Sequence, residues 1–179
     1  MTLFFPAHLR TWLLGAAFCL PGLLDRIKDR LTPTRPPVES IKDLTYGSHK
    51  AQRFDVYHPE DAEDAPVIFM VHGGAWRMGS KDASKVVNHK VDRWVPKGFV
   101  VVSVNYRMLP DADPLEQARD VAQALTTAQA QAADWGGDPA KFILMGHSAG
   151  AHLVALIHAS PILATGLGIA AAHHGHRVL

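Results

Sequence analysis

The sequence predicts an α/β domain: an antiparallel hairpin at one end, then parallel strands with helices on both faces. Two observations carry this. "PVIFMV" from Pro66, "FVVVSV" from Phe99 and "KFILM" from Lys141 are continuous apolar runs. A run with no polar face is the pattern of a strand buried on both sides. After each run, apolar residues recur at helical spacing. Strands that alternate with helices close into a parallel sheet through right-handed crossovers.

Length and composition bound the rest. A chain of 179 residues fits one domain, and 47% apolar residues supply its core. The net charge of +1 gives no electrostatic footing for nucleic acid. Cys19 is the only cysteine, which excludes an intrachain disulfide and a cysteine-based metal site.

The elements follow in order. "WLLGAAFCLPGLL", residues 12–24, is too short to span a bilayer but has the length of a secretory signal's apolar region. It equally fits the apolar face of an accessory helix on the domain or on a membrane. An exported or membrane-anchored protein follows from the first reading, a cytoplasmic one from the second. "LTPTRPPVES", residues 31–40, has the proline content of a linker, so residues 1–39 stand apart from a domain over 40–160. Ile41–Tyr46 and Gln52–Tyr57 alternate apolar and polar residues around "GSHK", a hairpin at a sheet edge. A helix over Ala83–Val95 is stopped by Gly98. In "DADPLEQ" Asp113 is the N-cap, Pro114 the first helical residue, and Glu116 completes a capping box. Gly136-Gly137 ends that helix, and the strand from Lys141 leads into a last helix, "AGAHLVALIHAS".

Two motifs carry chemistry. "GHSAG", residues 146–150, lies between a buried strand and a helix, the setting of a nucleophile elbow. Gly146 and Gly150 leave room for a sharp turn that strains Ser148 and exposes its hydroxyl. The Ala149 amide and the helix N-terminus then face an oxyanion formed at a carbonyl that Ser148 attacks. "HGGAW", residues 72–76, ends a different strand. In a parallel sheet the loops after the strands gather at one edge, which brings it to Ser148. Gly73 and Gly74 have no side chains to keep their amides from a substrate oxygen.

With "NYR" at 105–107 and "GGDPAKFILMGHSAGAHL" at 136–153, these motifs resemble the α/β-hydrolase superfamily. The likeness, over roughly residues 40–160, is to its esterase branch of hormone-sensitive-lipase-type and kynurenine-formamidase or feruloyl-esterase-like members. The resemblance implies Ser148 as nucleophile and the amides of Gly73, Gly74 and Ala149 as the oxyanion hole. It places His72 and Trp76 at the substrate pocket, with His72 ordering the loop and Trp76 beside the acyl group; His147, the variable position of the elbow, is also expected at the pocket, packed beneath the turn. It implies hydrolysis of small ester or amide substrates through an acyl-serine, with no metal or organic cofactor.

In that superfamily the acid and the histidine follow the serine. No aspartate or glutamate follows Ser148 here, and the later histidines are His152, His158, His173, His174 and His176. Asp113 and Asp138 read as a cap and a turn residue, Asp111 and Asp134 have no catalytic signal, and "HHGH" lacks a partner ligand for a metal. Residues 161–179 do not continue the family pattern. The expectation is therefore an N-terminal part of the fold, truncated and weakly active or inactive. Two other classes stay open: a non-catalytic small-molecule binding module, and a membrane-associated interaction protein acting through residues 12–24.

Overall fold

The computed structural model describes residues 38–160. The apolar run at 12–24 and the tail histidines His173, His174 and His176 lie outside them. Five strands form one mixed sheet: β1 (Val38–Thr45), β2 (Arg53–Pro59), β3 (Ala65–Val71), β4 (Val100–Val104) and β5 (Gly137–Gly146), in the order β1-β2-β4-β3-β5. β1 and β2 pair antiparallel, as do β2 and β4; β3 is parallel to both β4 and β5. The helices are α1 (Ser84–Trp94), α2 (Pro114–Ala130) and α3 (Ala149–Ala159). This is the expected order of a hairpin followed by parallel strands.

The middle of the sheet explains the apolar runs. Val67, Phe69 and Val71 of β3 pack with α2 and α3, through Leu125 and Leu153 among others. Ile68 and Met70, on the opposite face, pack with Val87 and Val91 of α1. A strand covered on both faces needs apolar residues at every position, not every second one. Helices on both sheet faces therefore follow from the runs themselves.

Local signals set most boundaries. The Asp113 carboxylate accepts the Leu115 and Glu116 amides, both at 2.9 Å, and Glu116 accepts the Asp113 amide at 3.1 Å. Gly98 takes a left-handed φ of 82° after the 3₁₀ turn Val95–Lys97 that prolongs α1.

Three boundaries differ from the sequence expectation. β1 begins at Val38, inside the segment read as linker, because Val38 and Glu39 pair with Pro59 and His58. Helix α2 ends at Ala130, ahead of the glycines, and a 3₁₀ turn over Ala132–Trp135 follows. Gly136 (φ 73°) closes that turn, and its carbonyl already accepts the Ala65 amide at 3.0 Å. Sheet pairing thus starts at Gly137, four residues before the apolar run. β5 is not buried on both faces either: Phe142 and Leu144 are buried, Ile143 and Met145 only half so. Among the described strands it lies at the sheet edge, where the α1 side offers less cover.

Core burial should outweigh capping in stability. Phe69→Ala is expected to cost about 3–5 kcal/mol and Asp113→Ala about 1 kcal/mol. Urea unfolding of both variants measures the ratio.

Candidate active site

β5 stops at Gly146 and α3 starts at Ala149, leaving two residues to reverse the chain. Ser148 takes up the reversal at φ 53° and ψ −118°, and it is exposed. For a residue with a Cβ such a conformation costs of order 1–3 kcal/mol, and it persists only where the surroundings enforce it. Here the His147 amide donates to the Val71 carbonyl at 3.2 Å, and the Gly150 amide to the His147 carbonyl at 2.9 Å. Both motif glycines are required by close approach. A Cβ on Gly146 would lie 2.5 Å from the Ala151 Cα, and one on Gly150 2.3 Å from the Val71 carbonyl oxygen.

The second motif meets the first at this seam. A Cβ on Gly73 would fall 2.5 Å from the His147 carbonyl oxygen and 3.1 Å from the Ser148 Cβ. Gly74 (φ 133°) begins a turn in which the Arg77 and Met78 amides both donate to its carbonyl at 3.0 Å. Among the described residues the Gly73 and Gly74 amides donate to no other group. Gly73, whose amide is unengaged among the described residues, therefore lies next to the exposed serine and the start of α3, whose partial positive charge favours an anion.

The loop is held from beneath. The His72 ring is 1% exposed and stacks on Tyr106 with centroids 4.6 Å apart. Its Nδ1–H donates to the Gly73 carbonyl at 2.8 Å, and the Tyr106 hydroxyl donates to the His72 carbonyl at 2.9 Å. Burial pulls the His72 pKa below its ordinary value, against the raising effect of Gly73 and Asn105. Trp76 (φ 61°) accepts the Leu109 amide at 2.9 Å and the Gln117 side-chain amide at 3.1 Å through its carbonyl. Its ring stands edge-on to His152 at 5.5 Å.

The three residues expected at the pocket thus differ in position. Trp76 is half-buried beside the helix that bears Ser148. His147 is exposed, not packed under the turn: its carbonyl and amide make the turn, and its Nδ1 lies 3.0 Å from where a Cβ on Gly73 would fall. His72 is too deeply packed to offer a ring surface and reaches the site through the backbone of Gly73.

The acids do not converge on Ser148. Asp113 caps α2, and Asp138 pairs with Lys141 at 2.8 Å. Asp111 and Asp134 are exposed. His152 and His158 are exposed on α3, and the Ser148 hydroxyl bonds to no histidine among the described residues.

Several supporting residues escaped the sequence reading. Asp120 is 2% exposed and takes the Arg107 guanidinium in two bonds, 2.9 Å from Nε and 2.8 Å from the terminal nitrogen. Gln52 donates to it at 3.0 Å. Asn105, Tyr106 and Arg107 each fasten a different part of the site's floor. The sequence singles out this NYR segment as part of the resemblance but gives its residues no role.

The family model BD-FAE matches residues 54–162, more than half of the chain. Kynurenine formamidase of Danio rerio is 32% identical over 132 residues, 73% of this chain and 43% of that protein. Isoprenylcysteine alpha-carbonyl methylesterase of Arabidopsis thaliana is 30% identical over 115 residues, 64% of this chain and 26% of that one. An inhibited esterase B of Lactobacillus rhamnosis superposes with a TM-score of 0.58 at 26% identity, covering 93% of this chain and 54% of its own. The chain spans less than half the length of these two curated relatives.

The buried His72 makes a pH prediction. Its folded pKa lies below the ordinary value of 6.5, so its contribution to stability is complete above that pH. It is lost as pH falls from there through the folded value, where the unfolded state binds the extra proton. His72→Phe keeps a ring against Tyr106 with no proton to gain. Thermal melts between pH 7 and 4.5 should show a flatter pH dependence in the variant than in the parent.

Proposed function

The chain belongs to the BD-FAE family of α/β-hydrolase esterases, and from that premise we propose that it is built to cleave a carboxylic ester or related acyl bond through an acyl-serine. Ser148 is the nucleophile. One observation carries this reading: the exposed, strained Ser148 lies against the unengaged backbone of Gly73. Attack on a carbonyl carbon moves the electron pair onto the carbonyl oxygen. The amides of Gly73, Gly74 and Ala149 stabilise that oxyanion, each worth about 2.7–4 kcal/mol in the transition state. Collapse expels the alcohol or amine, and water then releases the acid.

The serine proton needs a base. No described residue is hydrogen-bonded to Ser148 in that role, and no aspartate or glutamate follows it in the sequence. We therefore expect the 179-residue chain to be weakly active. In serine hydrolases loss of the base costs on the order of a millionfold in turnover, while the oxyanion hole and binding retain roughly a thousandfold over water. A second reading is a module that binds small esters in the same cleft without turning them over.

Fluorophosphonate labelling with mass-spectrometric location of the adduct tests the nucleophile. The adduct should form on Ser148, at the slow rate that a serine without a base allows, and vanish in Ser148→Ala; labelling that persists in the variant would sink the assignment. Turnover of p-nitrophenyl acetate should stay far below the ~1 per second typical of esterases. Binding of an ester without adduct or turnover would favour the second reading.

Gly73→Ala tests the oxyanion loop, since its methyl must push the loop off the His147 carbonyl. The Ser148 labelling rate should fall by about 10²–10³. An unchanged rate would leave "HGGAW" as a turn only.

A further inference from the structure

Between the oxyanion loop and α1 the chain passes through Lys81, whose side chain is only 7% exposed. A lysine is almost never buried so deeply unless it is paired. Its ammonium lies 2.7 Å from Asp55 Oδ1 and 2.9 Å from Asp43 Oδ1. Asp55 is itself 1% exposed, on β2, and also accepts the Asp43 amide at 2.9 Å and the Lys42 ammonium at 3.2 Å. The main chain of Lys81 is fastened as well. Its amide donates to Asn105 Oδ1 at 2.6 Å, and its carbonyl accepts the Ser103 hydroxyl at 2.7 Å. All three polar groups of one loop residue are thus held by the sheet.

This anchor lies two residues from the floor of the site. A Cβ on Gly79 (φ 119°) would fall 2.4 Å from His72 Nδ1 and 2.5 Å from the Gly73 carbonyl oxygen. Gly79 therefore packs on the hydrogen bond that orders the oxyanion loop. Asn105, which receives the Lys81 amide, also acts on the His72 ring. Burying an ion pair is a poor way to gain stability, because desolvation offsets most of the attraction. A buried pair at one end of a functional loop is better explained by the geometry it imposes.

We infer that Lys81 is a positioning residue: paired with Asp55 and tied to Asn105 and Ser103, it seats Gly79 against His72 and so sets the direction of the Gly73 and Gly74 amides. The inference rests on the assignment of those amides to the oxyanion. Lys81→Met keeps most of the stem's volume and removes the charge.

Two readouts test it on the full chain, one independent of chemistry. In the parent, the His72 Nδ1 proton should give a resolved downfield NMR resonance, held by the Gly73 carbonyl. In Lys81→Met that resonance should broaden or vanish, and the maximal rate of Ser148 phosphonylation should fall at least tenfold with little change in its half-saturating concentration. Leu125→Ala, a core variant of α2, should lose stability yet keep both signals. Loss of both signals there too, or their retention in Lys81→Met, overturns the inference. If Lys81→Met does not fold, Ser103→Ala removes only the bond to the Lys81 carbonyl. It should weaken both signals, and an unchanged resonance overturns the inference. Failure of the parent to label at Ser148 would count against the nucleophile assignment or reflect the missing base, and the His72 resonance then decides on Lys81.

Discussion

The close approach of α3 to the end of β3 is the constraint on which the rest of the structure depends. Where a Cβ on Gly150 would touch the Val71 and His72 carbonyls, backbone meets backbone with no side chain between. That contact exists because β3 and β5 are parallel neighbours, with Val71 opposite Gly146, so both chains leave the sheet at the same edge. From it follow the sharp turn at Ser148, the bond from the His147 amide to Val71, and the seat of Gly73 against the elbow. A larger residue at any of these glycines separates the two loops and leaves two ordinary turns.

Such a seam concentrates unfavourable backbone conformations. Ala75, Trp76 and Ser148 all have positive φ within a small region. Strain of this kind survives only where surrounding contacts exceed its cost. The floor provides them through His72 stacked on Tyr106, Gln117 on the Trp76 carbonyl, and two buried carboxylates, Asp55 and Asp120. Each carboxylate is satisfied by several donors, which is the condition for keeping a charge away from water. The two clusters stand on either side of the NYR segment. One reaches Asn105 through the Lys81 amide, and the other holds the Arg107 guanidinium.

The arrangement explains a division of labour among the site's residues. In the proposed mechanism the groups that touch a substrate are mostly backbone: the Gly73, Gly74 and Ala149 amides. Side chains act one layer below, orienting that backbone. Backbone donors held by a rigid floor need little reorganisation as charge develops, which is where electrostatic stabilisation is most effective.

The sequence by itself determined the order of strands and helices, the elbow, the glycine loop and the cap of α2. These depend on local periodicity, on glycines at tight turns and on contacts within a few residues. Burial on both faces was legible for β3 and β4 but overstated for β5, because an apolar run does not say whether its strand is central or at an edge. Only the tertiary structure decided that His147 faces solvent, that His72 lies beneath the site, and that pairing begins at Gly137. The same holds for the partners of Lys81 and Asp120. Lys81 meets Asp43 and Asp55 from two earlier strands, and Asp120 meets Gln52 and Arg107. A charged residue in a sequence reads as surface until the fold brings its counter-charge from a distant strand, and that pairing depends on sheet order, which no local pattern encodes.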